Sequence, residues 1–531
     1  MSRSLALIVA GISGFIALSY EILWYRVISY ASWGLPGAFG LLLGAYLFGL
    51  AVGSRVAGSF CKDEAKAGDR KILRRLAAFA FVANVVAWLV VPVFGWSSKK
   101  YDWPPALAAV ALAAALLGAI LPLVAHFGIK ADDKAGMNLS YVYLANIIGS
   151  GAGSLITGFV FLDLWPLQTI AMIIAMIGMV LVGSLVVIAE LPKNGRFVAL
   201  GGLALAALLL VKTTPVTYDR IWERLQYKAN FTDDTRFKDV VETKSGVIAV
   251  TQDNVVYGGG AYDGKVSTSF QYDVNGIFRA HSVGAFHPSP KRVLMIGLAT
   301  GAWAQVVANI PGVEHLTVVE INPGYLKLIA KYPEVSSLLT NPKVDIVIDD
   351  GRRWLNRHPD DRFDVMVMNT TWHWRAHATN LLSTEYFELA RSRLAPGGIL
   401  LFNTTSSDDV KKTAMTVFPY GYRIWNCLVV SDSPFTFDRE RYRKMLLEMK
   451  IDGEHIIDTT DTELLEKSVA YADTLNGPPT QEGLESRDSV LLRSCYESER
   501  DTGKCLIASR VITDDNMVPE WRKVLRFQDP P

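Results

Sequence analysis

Apolar residues are distributed unevenly along the chain, and most of the long apolar runs lie before Lys212. Each run is near the ~20 residues that an α-helix needs to cross a bilayer. The runs cover residues 5–24, 39–57, 76–94, 106–127, 141–162 and 167–189, and a shorter seventh run covers 197–211. The pattern predicts an α-helical transmembrane bundle of six or seven spans over residues 1–212. Because several spans follow the first run and no small-residue cleavage site does, we interpret that run as an anchor.

A few small and polar residues stand out within this bundle. The spacing of Gly149 and Gly153 is typical of membrane helices that pack closely. Glu21 lies near the end of the first run, five residues before Arg26. Because charges at membrane depth are costly, we expect Glu21 at the interface, paired with head groups or with Arg26. The alternative is that Glu21 lines a pathway.

The pattern changes after the bundle. Residues 213–239 form a polar linker with an amphipathic stretch at 218–231, which either lies on the membrane surface or packs beneath the next domain. Alternating apolar residues then predict a small β-strand domain over 240–285. Residues 436–531 are charged and predict a mostly helical extension.

Residues 286–435 alternate apolar strands with helical patterns. Strands are predicted at 293–296, 316–322, 344–351 and 363–369, and a fifth follows the glycine pair at 397–398. Two later apolar segments, VFPYGYRIWN and CLVVSD, predict an antiparallel hairpin. This order predicts an α/β doubly wound, Rossmann-like domain of the methyltransferase type, with its ligand at the carboxyl ends of the strands.

The residues at these strand ends suit a nucleoside. Gly297 and Gly301 allow the backbone to approach a ligand, and a helix beginning near Ala302 offers unpaired N–H groups. Glu320 ends the second strand, where a carboxylate can accept both ribose hydroxyls. Asp350 ends the third strand and is placed to accept from an adenine amino group. We therefore predict that this domain binds a nucleoside.

Composition narrows the classes of function. The formal net charge of +1 at pH 7 provides no basic surface for nucleic acid, so we expect none as a partner. The 4 cysteines show no CxxC spacing and no accompanying histidines, so we predict no metal site. The expected partners are the lipid bilayer and a small-molecule nucleoside sulfonium. The sequence leaves open whether two copies form a homodimer.

Several segments, taken in order, resemble the spermidine synthase family. They are ETKSGVIAVTQD, AHSVGAFHPSPKRVLMIG, VVEIN, DDGRRWL, FDVMVMN and LLSTEYFELARSRLAPGGILLFN. The segments YEILWYR, GAILPLV and YLANIIGSGAGSLITGF resemble the membrane part of bacterial proteins that fuse a transporter-like bundle to such a domain. The resemblance implies that S-adenosylmethionine or its decarboxylated form is the substrate. The residues it implies for ligand binding are Gly297, Thr300, Gly301, Glu320, Asp350, Gly351 and Asn369.

Three places depart from the family's pattern. Thr300 stands where the family has an acid that faces the amine, and Asn369 to Trp372 stand where it has a pair of aspartates; Asn403 matches a glutamine. Without these acids, a cationic polyamine loses the groups that hold and deprotonate it. We therefore expect cleavage of the sulfonium C–S bond, with release of methylthioadenosine and without a standard polyamine acceptor. The alternatives are aminopropyl transfer to a polyamine, which needs a replacement carboxylate, methyl transfer, and a transporter or sensor with a non-catalytic domain.

Candidates for catalysis lie before the first strand of the predicted sheet and after its fourth strand in the sequence. Tyr272 and His281 precede its first strand, and the resemblance places His281 beside the ligand. The run TTWHWRAHATN corresponds to the family's gate over the active site. Its two tryptophans either enclose the sulfonium or pack on each other, and His373 or His377 can replace a lost base. The predicted catalytic residues are Asn369, Tyr272, His281 and His373.

The basic residues of the loop at 55–75 predict a cytoplasmic amino terminus in a multi-pass protein of the inner membrane. If the run at 197–211 also spans, the soluble domain lies outside. We nevertheless expect this domain in the cytoplasm, because its ligand is made there.

Overall fold

A computed structural model divides the protein into a helical unit and a unit built around a sheet. It describes residues 2–61, 70–100, 105–130, 132–270, 273, 275–369, 372–474, 485–486, 510–516 and 520. The first compact unit comprises Met1–Phe237 and Glu242–Val247, and the second comprises Lys238–Val241 and Ile248–Pro531. The finer boundaries predicted at 212, 239, 285 and 435 stay predictions.

The described part of the first unit contains ten α-helices. They are α1 (Arg3–Ala31), α2 (Gly37–Phe60), α3 (Arg70–Ser97), α4 (Ala106–Gly118), α5 (Ile120–Gly128), α6 (Ala135–Ile156), α7 (Leu162–Leu164), α8 (Leu167–Ile188), α9 (Lys193–Thr217) and α10 (Ile221–Tyr227). By length and composition, seven helical stretches of the described chain are suited to cross a membrane. The seventh, Lys193–Thr217, is longer than the predicted run at 197–211, because polar residues continue the helix at both ends.

Helices α1 and α6 pack with their backbones in close approach. A Cβ added to Gly149 would lie 1.9 Å from the carbonyl oxygen of Gly11, and one added to Gly153 would lie 2.3 Å from the carbonyl oxygen of Phe15. Any larger side chain would therefore push the helices apart. The Gly149 and Gly153 spacing has the packing role that the sequence predicts.

A small antiparallel sheet follows in the chain. Its strands are β1 (Asp239–Thr243), β2 (Gly246–Val250), β3 (Val255–Gly258) and β4 (Ala261–Lys265), in the order β1-β2-β3-β4. Gly258, Gly259 and Gly260 make the turn between β3 and β4, and the last two have positive φ. This turn positions Asp263 of β4, which the sequence analysis did not single out.

The main sheet contains the predicted strands in the predicted directions. They are β5 (Arg292–Ile296), β6 (His315–Glu320), β7 (Val344–Ile348), β8 (Phe363–Met368), β9 (Leu394–Asn403), β10 (Tyr420–Ile424) and β11 (Cys427–Ser431). The order is β7-β6-β5-β8-β9-β11-β10, with β5 to β9 parallel and β9, β11 and β10 antiparallel. The prediction of a Rossmann-like fold is therefore confirmed.

Three short strands were not predicted. The two-residue strands β12 (Lys450–Ile451) and β13 (Glu454–His455) pair with each other, and β14 (Glu485–Ser486) pairs with β10 at the edge of the main sheet. Segments of two residues are too short to show a hydrophobic period.

The main sheet is buried on both faces. Alternate residues of β5 belong to two different apolar clusters, with Val293 and Met295 in one and Leu294 and Ile296 in the other. Residues of the other strands and of the helices that cover the two faces complete both clusters, as expected for a doubly wound sheet. The described helices of this unit are α11 (Phe278–His281), α12 (Val283–Phe286), α13 (Ala302–Ala308), α14 (Gly324–Ile329), α15 (Pro333–Ser336), α16 (Gly351–Arg357), α17 (Thr384–Arg391), α18 (Asp408–Val417), α19 (Arg439–Glu448) and α20 (Thr462–Thr474).

Candidate active site

The strand order places a ligand-binding crevice at β5. The chain passes from β5 to β6 and β7 on one side and then returns to β8 and β9 on the other. In open α/β sheets, ligands bind at this reversal point, beyond the carboxyl ends of the strands. The predicted binding residues follow the carboxyl ends of β5, β6, β7 and β8.

The turn after β5 is tightly constrained. Gly297, Ala299 and Gly301 have φ values of 92°, 46° and 79°, and a Cβ on Gly301 would lie 2.8 Å from Cδ1 of Ile329. Thr300 is 3% exposed, and its hydroxyl accepts from the N–H of Ala302 at 3.3 Å. The N–H of Ala302, which was expected to be unpaired, thus donates to Thr300. This is the residue that stands where the resemblance implies an acid.

Glu320 occupies the predicted position at the end of β6. Its Oε2 accepts from the N–H of Leu298 at 2.7 Å, and its Oε1 accepts from the N–H of Asn322 at 2.7 Å. Burial raises the pKa of the carboxyl, the charge of Asp263 adds to this effect, and the backbone N–H bonds oppose it. The carboxylate is therefore fixed in orientation by backbone N–H groups, which include that of Ala299.

Asp350 and Gly351 begin the helix after β7. Asp350 caps α16 by accepting from the N–H of Arg353 at 2.8 Å, so one of its oxygens is engaged in the fold. A Cβ on Gly351 would lie 2.6 Å from Cγ2 of Ile296, so this position requires glycine for close packing on β5. The proposed contact of Asp350 with adenine stays a prediction.

A chain of neutral polar groups crosses the ends of β8 and β9. Asn403 Nδ2 donates to Asn369 Oδ1 at 3.1 Å, and Asn403 Oδ1 accepts from the N–H of Thr405 at 2.8 Å. The Thr405 hydroxyl lies 2.7 Å from the ring Nδ1 of His373. It also accepts from the backbone N–H of His373 at 3.2 Å. The structure thus brings Asn369 and His373, two of the predicted catalytic residues, into one network.

The other two catalytic candidates are not part of that network. Tyr272 lies outside the described residues, as do Thr370 and Thr371. His281 is fully buried against the edge of Phe270, with ring centroids 5.0 Å apart, and neither ring nitrogen has a hydrogen-bond partner among the described residues. Burial lowers the pKa of His281 to about 3. Its catalytic role stays a prediction, and a ring this weakly basic is poorly suited to act as a base near neutral pH.

The gate segment packs largely on itself. Trp372 and Trp374 stack with centroids 6.1 Å apart and an interplanar angle of 23°, and Trp374 is 2% exposed. His377 is exposed, and its N–H donates to Glu520 at 3.2 Å. Of the two readings of the tryptophans, this geometry favours mutual packing over enclosure of a sulfonium between the rings.

A cluster that the sequence analysis missed lies beside Glu320. The Tyr325 hydroxyl donates to Asp263, and the charges of Asp263 and Arg375 interact. Asp263 is half-buried; burial raises the pKa of its carboxyl, and Tyr325 and Arg375 oppose this increase. The feature of the sequence that could have indicated this cluster is the triple glycine at 258–260. Gly258 leaves room for Tyr325, because a Cβ on Gly258 would lie 2.5 Å from the Tyr325 hydroxyl.

This cluster brings a carboxylate close to the glycine turn. A Cβ on Gly264, the residue after Asp263, would lie 3.2 Å from Cγ2 of Thr300. Strand β4 therefore runs beside Thr300. The carboxylate of Asp263 bonds to Tyr325, and its charge acts on Glu320.

The fold and the residues at the strand ends define a Rossmann-like domain of the methyltransferase type. Residues 278–417 match the family model described as "Spermine/spermidine synthase domain". This part of the chain is therefore similar to spermine and spermidine synthase domains.

Curated relatives extend this match. Polyamine aminopropyltransferase 2 of Streptomyces coelicolor is 27% identical over 424 residues, which covers 75% of this chain and 73% of the relative. The polyamine aminopropyltransferase of Mycobacterium tuberculosis is 24% identical over 363 residues, covering 63% of this chain and 68% of the relative. Because the 424-residue alignment is longer than the second unit, it includes part of the helical unit. The crystal structure of spermidine synthase from Thermotoga maritima is similar with 19% identity and a TM-score of 0.31, covering 46% of this chain and 88% of that one.

These names correct the expected reaction. Sulfonium cleavage without a polyamine acceptor is wrong, because the relatives are named as polyamine aminopropyltransferases and the alternative of aminopropyl transfer fits them. The error came from counting only the acids lost at Thr300 and Asn369. The alternative of aminopropyl transfer required a replacement carboxylate, and the sequence alone did not indicate that Asp263 lies near Glu320.

Proposed function

We propose that this protein transfers the aminopropyl group of decarboxylated S-adenosylmethionine to a primary amine of a polyamine. The observation that carries the proposal is Glu320, a carboxylate fixed at the end of β6 beside the reversal point of a spermidine synthase domain. Its two oriented oxygens suit the two hydroxyls of a ribose. The names of the relatives support a polyamine as the acceptor.

The reaction breaks one C–S bond and forms one C–N bond. The lone pair of the unprotonated amine attacks the aminopropyl carbon that is bonded to the sulfonium. The sulfur keeps the electron pair of the broken bond and leaves as the neutral thioether of methylthioadenosine. One proton leaves the new secondary ammonium, so charge and atoms balance. Because the sulfonium is a good leaving group, the protein must mainly orient the two reactants and stabilise the amine.

We assign Asp263 to the amine. A polyamine is multiply cationic, and its nucleophilic nitrogen, with a pKa near ~10, must lose a proton before it attacks. Asp263 supplies negative charge near Glu320, and burial raises the pKa of its carboxyl while Tyr325 and Arg375 oppose that increase. Asn369 and Asn403 provide neutral hydrogen-bonding groups that orient the reactants without adding charge.

The helical unit is proposed to span the inner membrane with the catalytic domain in the cytoplasm, where its nucleoside substrate is made. Seven spans with the basic loop at 55–75 inside would place the domain outside. In the cytoplasmic arrangement, either α9 does not cross the bilayer or the basic loop is external. Labelling of cysteines introduced at 132–134 and at 232–234 by a membrane-impermeant reagent distinguishes these arrangements.

The function is tested with the purified full-length protein, decarboxylated S-adenosylmethionine and putrescine, with products identified by mass spectrometry. We expect methylthioadenosine and spermidine in equal amounts, and neither when putrescine is omitted. Methylthioadenosine formed at the same rate without an amine would contradict the proposal. So would adenosylhomocysteine formed from S-adenosylmethionine with no spermidine product.

A further inference from the structure

Helix α1 carries a buried acid that the proposed transfer reaction does not use. Glu21 is 8% exposed and lies within α1, ten residues before the helix ends at Ala31. Among the described residues, none forms a hydrogen bond or an ion pair with its carboxylate. A buried carboxylate without a partner is costly, and such residues in apolar helices commonly mark a ligand or ion site.

The nearest cation in the sequence does not neutralise Glu21. Arg26 donates to the carbonyl oxygen of Gly246 at 3.1 Å, and its Nε lies 3.9 Å from Oε2 of Glu242. Glu242 in turn accepts from Nε1 of Trp222 at 3.1 Å. The structure therefore pairs Arg26 with Glu242, and the expected alternative of a Glu21–Arg26 pair is wrong.

Aromatic residues lie near Glu21 along α1, and another lies on α2. Trp24 lies one helical turn further along α1, stacked on Tyr20 with centroids 6.0 Å apart, and its centroid is 6.4 Å from that of Tyr46 on α2. All three rings are at most 3% exposed, and the charge of Glu21 acts on Tyr46. The Tyr20 hydroxyl and the Trp24 indole N–H have no hydrogen-bond partner among the described residues. Several polar atoms on one stretch of α1 are thus buried and unsatisfied together.

We propose that Glu21, Trp24 and Tyr46 form a binding site for an organic ammonium ion. The carboxylate supplies the opposite charge, and the ring faces attract a cation through their quadrupoles. A hard metal ion would need about six oxygen ligands, and no group of three or more His, Cys, Asp or Glu side chains in the described part of the chain could hold one. A linear alkylamine suits this combination of one acid and apolar aromatic walls. The proposal goes beyond the transfer reaction and does not depend on it, because it concerns binding within the helical unit.

Binding of radiolabelled putrescine to the full-length protein in lipid nanodiscs tests the proposal. The matched variants are Glu21→Gln, which removes the charge, Glu21→Asp, which keeps it, and Asp133→Asn, which removes an exposed charge from the same unit. We expect Glu21→Gln to bind one putrescine fewer per chain than wild type, and the other two variants to retain the wild-type number. An unchanged number of sites in Glu21→Gln would overturn the proposal, whether or not the second unit proves to transfer an aminopropyl group.

A second variant guards against loss of folding in Glu21→Gln. Trp24→Leu keeps the carboxylate and removes one ring face, so we expect putrescine to bind this site roughly 3- to 30-fold more weakly, the range for a single cation–π contact. Trp24→Phe, which keeps a ring, should recover part of that loss. Unchanged affinity in Trp24→Leu would remove the aromatic residues from the site and overturn the proposal as stated.

Discussion

Two buried acids, Glu320 in the second unit and Glu21 in the first, differ in how the surrounding fold holds them. In the second unit, both oxygens of Glu320 accept backbone N–H bonds, and Asp350 caps a helix. In the first unit, Glu21 is nearly as buried as Glu320 but lacks a comparable partner among the described residues. Glu320 is thus held in a fixed geometry before a ligand arrives, whereas Glu21 has its charge uncompensated. The difference suggests a preorganised site in one unit and a site completed by its ligand in the other.

The largest expected effect comes from neutralising the preorganised acid. Glu320→Gln should lose two charge-assisted bonds to ribose, each worth about 1.5–3 kcal/mol, and so reduce kcat/KM roughly 10²- to 10⁴-fold. Asp345→Asn, which removes an exposed acid from the neighbouring strand, serves as the control. Steady-state kinetics in decarboxylated S-adenosylmethionine make the measurement. A Glu320→Gln enzyme within threefold of wild type would show that the fixed carboxylate does not hold the nucleoside.

Asp263→Asn should have the next largest effect, about 10- to 100-fold, because it removes one charge contact to the amine. The loss should appear mainly in the KM for putrescine. Since the pKa of Asp263 is raised, wild-type activity should decline as the pH falls through that raised value. The Asp263→Asn variant should lack this acidic limb of the pH–activity profile. An effect confined to the nucleoside substrate, with the acidic limb intact, would reassign Asp263 to a structural role.

Gly149→Ala tests the packing of the helical unit. Its Cβ would lie 1.9 Å from a backbone oxygen of α1, so we expect a loss of about 1–3 kcal/mol in stability. Gly151→Ala is the matched control, because a Cβ there meets nothing within 4 Å. Thermal unfolding in detergent compares the two variants. Equal unfolding temperatures would show that α1 and α6 do not approach as closely as described.

His281 is buried in the second unit, its ring nitrogens have no hydrogen-bond partner among the described residues, and it gives the smallest expected effect. Its pKa of about 3 in the folded protein lies below the ordinary value of 6.5, so the unfolded chain binds a proton more readily between these values. Stability should therefore fall as the pH drops from 6.5, by at most about 1.4 kcal/mol per pH unit. His281→Leu should lose less stability than wild type between about pH 7 and pH 5 in thermal unfolding. Equal losses would indicate that His281 becomes protonated in the folded state or has a partner.

The main sheet was predictable because its information is local. Apolar runs such as Val293–Ile296 and the acids that follow them, including Glu320, identify strands and strand ends without any knowledge of distant contacts. The structure agrees with these predictions to within a few residues at the strand boundaries.

The missed features all depend on contacts between distant parts of the chain. Asp263, Tyr325 and Arg375 come from a small strand, a helix and the gate, so no local pattern connects them. Arg26 and Glu242, which pair with each other, are equally far apart in the sequence. Because Arg26 pairs with Glu242, it does not neutralise Glu21 as the sequence analysis allowed. Counting acids at aligned positions was therefore insufficient, since an anion can enter a site from another element.

The central claim is that an aminopropyl group moves from the sulfonium to an amine. The most direct test uses decarboxylated S-adenosylmethionine with a ¹³C-labelled aminopropyl group, putrescine and the full-length protein. We predict that the label appears in spermidine, with one methylthioadenosine released for each labelled product. Methylthioadenosine accompanied by label in any product that lacks the putrescine carbons would contradict the account.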